Sequence, residues 1–82
     1  MKFYAYVLRS LRNGRLYVGQ TQDLQRRIFE HNSKRVQATR YQGPYEVIYV
    51  EIFPSRTDSM RRESFFKTGQ GRAELKSISQ KT

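Results

Sequence analysis

The chemistry open to this chain is set by one histidine, six tyrosines, a surplus of arginines and few carboxylates. With no cysteine and only His31, a zinc site of ordinary composition is excluded, and a Ser-His-Asp triad would have to combine His31 with Asp23 or Asp58. There is no G-x-S-x-G, P-loop or G-x-G-x-x-G sequence, and Gly69-Gln70-Gly71 reads as a helix break rather than a phosphate cradle. Glu63 is the notable carboxylate. On a helical wheel it falls between Met60 and Phe66, on the face otherwise assigned to the core, where a carboxylate needs a cation or donors. A salt bridge to Lys67 at i+4 would satisfy it; so would Mg²⁺, which binds through one or two carboxylates, several waters and substrate phosphate.

Arg27 and His31 are one helical turn apart, so both can address one phosphate, the arginine as a forked donor and the histidine as a proton handler. A lone histidine at a helix border is more often structural. Tyr6 and Tyr17 share a sheet face if the hairpin loop between them holds an even number of residues. A two-residue Asn13-Gly14 turn offsets them by about four positions, whereas a four-residue loop over Ser10 to Asn13 sets them opposite each other, and a joint role favours the wider loop. Two aromatic residues packing on a sheet is the plainer reading.

The elements that must position these groups follow from pattern. Phe3 to Arg9 is apolar on both alternating faces, as a central strand covered on two sides should be. Asn13-Gly14 marks a turn and Arg15 to Gln20 a returning strand. Thr21 or Asp23 caps a helix from about Gln22 to Ser33, with Leu24 and Ile28 as its apolar stripe, Arg27 and His31 at the stripe's border, and Arg26 and Glu30 paired outward. Lys34 to Pro44 reads as a basic loop, Tyr45 to Phe53 as a third strand ended by Pro54. Thr57 or Asp58 caps a second helix to about Lys67, and a third runs from about Arg72 to Ser79. The order β-β-α-β-α-α predicts an α+β fold, a three-stranded, mostly antiparallel sheet flanked by helices, with strand order left open.

Charge narrows the partner. The 82 residues carry a net +9, and residues 1–41 hold nine basic and two acidic side chains. Clustered Lys and Arg favour a polyanion, nucleic acid ahead of an anionic membrane. Lys34, Arg35 and Arg40 are candidates for backbone contacts without sequence choice. Tyr41 and Tyr45 beside them could stack on bases if the partner were RNA or a ribosome. No apolar run approaches a membrane span, and Met1-Lys2-Phe3 leads straight into a strand, so a soluble cytoplasmic protein with one domain over residues 1–82 is expected.

Tyr4-Ala5-Tyr6, then Tyr17-Val18-Gly19, then Asp23-Leu24 with Arg26-Arg27 and Glu30-His31-Asn32, together resemble the GIY-YIG nuclease superfamily, in particular its small standalone bacterial members. Tyr45 to Phe53, Met60 to Lys67 and Gly71-Arg72 with Leu75-Lys76 extend the match over most of the chain. The resemblance implies a GIY-YIG-like fold and a phosphodiesterase site dependent on Mg²⁺ or Mn²⁺. In it Tyr6, Tyr17, Arg27 and His31 are catalytic, and Glu63 is both catalytic and the metal ligand. DNA is favoured over RNA as substrate, with a protein partner for targeting. A non-catalytic nucleic-acid-binding module that keeps the fold is the alternative. Tyr4-Ala5 replaces the motif's Gly-Ile, Gln20 stands where some relatives have lysine, and no asparagine follows Asn32 to match one found on a late helix in some members.

Overall fold

The computed structural model describes residues 1–36 and 42–81. Its elements are β1 (Phe3–Ser10), β2 (Leu16–Thr21), α1 (Leu24–Asn32), β3 (Tyr45–Phe53), α2 (Arg56–Phe65) and α3 (Gly69–Gln80). The three strands form one antiparallel sheet in the order β2-β1-β3, which puts the doubly apolar β1 in the centre. Ala5, Tyr6, Val7 and Leu8 are all buried, as a strand covered on both faces requires.

The two layers are distinct. Tyr6, Leu8 and Tyr45 pack with Tyr17, Val47 and the α1 residues Leu24 and Ile28. On the other face Val7 packs with Phe66, Leu75 and Ile78 from the α2–α3 segment, and with Leu16, Val18, Ile48 and Tyr49 from the flanking strands. A bulge between Val7 and Leu8 leaves Ile48 without a partner on β1, so Ile48 and Tyr49 both join the second layer while Val47 stays in the first.

The hairpin loop matches neither turn considered from sequence. Ser10 donates its N–H to Arg15 O, and the loop is Leu11 to Gly14. Buried Ser10 organises it: its hydroxyl donates to the carbonyl of Gln42 and accepts from the N–H groups of Arg12 and Asn13. Gly14, at φ 77°, takes the left-handed position that lets the chain re-enter the sheet.

The helix starts also move. Asp23 caps α1 by accepting from Arg26 N, one of the two caps expected. The cap of α2 is Ser55, accepting from Asp58 N, rather than Thr57 or Asp58, because Pro54-Ser55 already turns the chain and Asp58 fits the third helical position of a capping box. Gly69-Gln70-Gly71 is not a break; it is the first turn of α3, capped by Thr68 accepting from Gly71 N. Gly71 is required for close approach: a β-carbon there would stand 1.8 Å from the carbonyl oxygen of Phe65. Arg62 ties the second layer together, bonding Glu51 on β3 (2.7 Å) and Glu74 on α3 (2.5 Å) beneath the Phe66 ring. No helix among the described residues is long and apolar enough to cross a membrane.

Candidate active site

Tyr6 lies opposite Gly19 in the β1–β2 register, and Tyr17 lies opposite Leu8. The two tyrosines therefore share the α1 face and are offset by two positions, roughly 7 Å along the strand. Gly19 makes room for this arrangement. A β-carbon on it would sit 2.4 Å from the Tyr6 hydroxyl oxygen, so the phenol lies directly over the glycine and reaches edge strand β2.

The Tyr6 hydroxyl meets His31 Nε2 at 3.1 Å, with the Arg27 guanidinium close enough for its charge to act on both groups. A phenol can donate to or accept from a ring nitrogen, and the direction of the Tyr6–His31 bond follows the histidine tautomer. His31 is fully buried, deeper than the stripe border where the wheel puts it, among the rings of Tyr6, Tyr17 and Tyr45, whose centroids lie 6.1, 4.8 and 6.1 Å away. Burial and then the Arg27 charge lower its pKa to about 4, so His31 is neutral at pH 7. Burial raises the Tyr6 pKa, the nearby Arg27 guanidinium pulls it back in part, and the Tyr17 and Glu63 charges raise it further. Arg27 also donates to Glu30 at 3.2 Å, a carboxylate it shares with Arg26 at 3.6 Å. The outward Arg26–Glu30 pair expected from sequence is thus a three-membered cluster that holds the Arg27 guanidinium beside Tyr6.

Glu63 is not in the core. Its side chain keeps 25% of its exposure although it lies on the inward stripe of α2, one turn after buried Ser59 and one turn before buried Phe66 at the helix end, while Met60 points outward. Its burial is partial because that part of the stripe borders an open cleft. Glu63 pairs with Lys67 at 3.6 Å and shares with Tyr17 an open cleft of about 310 Å³ against β2, together with Lys67 and Arg72. The sheet edge at β2 therefore carries Tyr17 and Glu63 in one cleft, and Arg27 in a neighbouring cleft that includes Gln20.

Lys34 and Arg35 follow α1 at its C-terminal end, where Asn32 bonds the backbone of Tyr45 at the start of β3. Arg35 stacks on Phe29, and neither residue lines either cleft beside β2. Arg40 and Tyr41 lie outside the described residues. Sequence reasoning overlooked Tyr45 as part of the histidine's enclosure, the Glu30 hold on Arg27, and Gly19 as the opening for the Tyr6 phenol. Only Gly19 left a signal, a glycine inside a strand.

Among the described residues no group of three His, Asp or Glu is placed to hold a metal ion. A magnesium ion does not require one. A single partly exposed carboxylate in a cleft open enough for waters and a phosphate fits the donor set that this ion accepts.

A central strand whose tyrosine reaches through a glycine of the edge strand toward a helix arginine is the arrangement that the fold and the Tyr-Ala-Tyr and Tyr-Val-Gly sequences jointly define. The GIY-YIG catalytic domain model matches residues 2–76, and the chain belongs to the GIY-YIG nuclease family. Among its relatives, a UPF0213 protein of Streptococcus agalactiae is 40% identical over 94% of this chain and 88% of its own length. A UPF0213 protein of Staphylococcus saprophyticus is 31% identical over 96% of each. The solution NMR structure of a UPF0213 protein from Bacillus halodurans is similar over 95% of this chain and 85% of its own, with a TM-score of 0.56 and 33% identity.

Proposed function

We propose that this chain is a metal-dependent endonuclease that hydrolyses nucleic-acid phosphodiester bonds, DNA in the first instance, as one GIY-YIG domain. The observation that carries the reading is the Tyr6 hydroxyl bonded to His31 beside the Arg27 guanidinium, at the sheet edge that Tyr17 and Glu63 also border.

The scissile phosphate docks on Arg27, whose planar fork suits it and which is already held in place by Glu30. Phosphate there offsets part of the Arg27 charge that, after burial, keeps the His31 pKa low, so docking makes His31 a better proton acceptor. The raised Tyr6 pKa keeps the phenol protonated before reaction. As water attacks, its oxygen bonds to phosphorus and its proton passes to Tyr6 Oη, while the phenolic proton moves 3.1 Å away to His31 Nε2. The bond from phosphorus to the 3′-oxygen breaks, and that oxygen takes a proton from solvent. Tyr17 orients the attacking water from the Glu63 cleft. Glu63 would hold Mg²⁺ or Mn²⁺, which supplies Lewis-acid stabilisation of phosphoryl and leaving-group charge. Lys34, Arg35 and Arg40 add backbone contacts that confer affinity without sequence choice.

The test is a cleavage screen on labelled duplex, single-stranded, flapped and branched DNA with Mg²⁺ or Mn²⁺, wild type beside Glu63→Gln and Arg27→Ala. Wild-type cleavage that falls by about 10²-fold or more in both variants is expected. Binding should be retained by Glu63→Gln. Cleavage unchanged in Glu63→Gln refutes the assignment; no wild-type cleavage of any substrate, with binding intact, leaves a nucleic-acid-binding module.

A further inference from the structure

Arg27 belongs to two places at once, the tyrosine–histidine cluster and an open cleft of about 400 Å³ between the start of α1 and the start of α2. The cleft is within the size range of small-ligand sites. Its far wall is Arg56, whose guanidinium is fixed from two sides, stacked 5.1 Å from the centre of the Phe3 ring and donating to Gln22 Oε1 at 3.1 Å. Among the described residues Arg56 pairs with no carboxylate. Arg26 projects from the same rim, 75% exposed.

The carboxylates of the cleft are already engaged. Asp23 accepts from the Arg26 N–H as the cap of α1, and Glu30 is shared between Arg26 and Arg27. Three guanidinium groups against two carboxylates leave the cleft positive, with Arg56 as the cation that nothing neutralises. In its wall the amide oxygen of Gln20 is buried without a hydrogen-bond partner. An acceptor left in that state costs about 1–3 kcal/mol until a donor reaches it. A phosphodiester has no donor to offer, whereas the sugar or base attached to it has, and a turn of the Gln20 amide out of its shielded position would bring the oxygen to that donor.

We propose that this cleft seats the nucleotide next to the scissile phosphate: Arg56 and Arg26 bind the neighbouring phosphate, and Gln20 accepts a hydrogen bond from the nucleoside. The donor is a neutral O–H or N–H, either a ribose 2′-hydroxyl or an exocyclic base amino group. The assignment rests on the nuclease reading in one respect, that the phosphate on Arg27 is the scissile one. It makes Gln20 the residue that sets nucleotide preference, and it places the principal backbone contact on Arg56 at the start of α2.

Binding without cleavage tests it. Fluorescence anisotropy in EDTA with labelled twelve-residue homopolymers presents one base at every register: dT has no exocyclic amine or 2′-hydroxyl, dC adds the amine, and U adds the hydroxyl. Arg56→Gln is compared with Arg61→Gln, an exposed α2 arginine that lines a separate groove with Met60 and carries the same charge. Arg56→Gln should weaken all three probes by about 3- to 10-fold and reduce the salt slope by about 0.7, and Arg61→Gln should change neither appreciably. Wild type should favour dC or U over dT, the favoured probe identifying the donor, and Gln20→Met should erase that preference without changing the salt slope. Arg56→Gln behaving like Arg61→Gln, or a wild-type preference that is absent or survives Gln20→Met, overturns the assignment. The two proposals fail separately. Binding through Arg56 with no cleavage under Mg²⁺ sinks the nuclease reading and leaves this cleft a nucleotide site without a scissile neighbour, whereas cleavage with an indifferent Arg56 sinks this proposal alone. Thermal melts of each variant confirm that the fold is intact.

Discussion

Lowering the pH should unfold this protein through one residue. His31 is fully buried beside Tyr6, Tyr17 and Tyr45, with the Arg27 charge nearby and Glu30 the opposing carboxylate. Its pKa falls from 6.5 in the unfolded chain to about 4 in the fold. Because the unfolded state binds the proton more readily, stability is complete above pH 6.5 and is lost as pH falls toward 4. With those two values the loss between pH 7.5 and pH 4.5 is about 2–3 kcal/mol, a large part of the margin of a domain this small. Urea unfolding followed by far-UV circular dichroism at half-unit pH steps measures it. His31→Gln removes the titrating group and keeps a polar partner for Tyr6, so its stability should be lower at pH 7.5 and nearly flat down to pH 5. The difference between the two profiles isolates His31 from the carboxylates that titrate below pH 5. Parallel profiles for wild type and variant between pH 7 and 5 would refute the argument, since the histidine would then be solvated and its bond to Tyr6 would not constrain either group.

Three substitutions test the packing that positions the site. Gly19→Ala puts a methyl group 2.4 Å from the Tyr6 hydroxyl and must displace the phenol from His31 and Arg27; cleavage should drop by about 10-fold or more, with a stability loss of about 1–3 kcal/mol, measured by single-turnover rates and urea melts. Gly71→Ala meets backbone rather than a movable side chain, the Phe65 carbonyl at 1.8 Å, so thermal melts should show a larger loss than for Gly19→Ala. Arg62→Met removes the shared partner of Glu51 and Glu74 while keeping much of the stacked volume on Phe66; urea unfolding should register about 2 kcal/mol, discounted for partial exposure, with nucleic-acid affinity nearly unchanged.

The legible parts of the fold were those in which one local rule acted alone. β1 announced itself by being apolar on both faces, and β3 by alternation bounded by Pro54; both are found within one residue of the expected limits. The parts misread were those in which two rules compete. Gly69-Gln70-Gly71 has the composition of a helix break, but Thr68 caps it and Gly71 is needed for contact with the end of α2, so packing overrides propensity. Glu63 looked buried because a wheel shows which way a residue faces and not how far that face is covered, and this part of the inward stripe borders an open cleft. The spacing of Tyr6 and Tyr17 depended on a loop that could close in several even lengths, and buried Ser10 with Gly14 at φ 77° selects the one over Leu11 to Gly14. No local pattern could show Arg56 and Gln20 meeting across a cleft, because they are brought together only when α2 crosses the sheet.

The same physical conflict governs the tyrosine at the centre. Burial beneath α1 makes Tyr6 a rigid, well-aimed group and also makes its phenolate costly, and the Glu63 charge adds to that cost. Arg27 works against both effects, but an arginine beside His31 weakens the proton acceptor that Tyr6 needs. The conflict is resolved only by an anion on Arg27. In the proposed mechanism a docked phosphate relieves the histidine, while the Arg27 charge continues to support the phenol, so the free protein is a poor base at the position where the substrate-bound protein becomes a better one. Glu30 raises the His31 pKa, but by less than burial and the Arg27 charge lower it. In that mechanism activation is tied to the arrival of the phosphate itself.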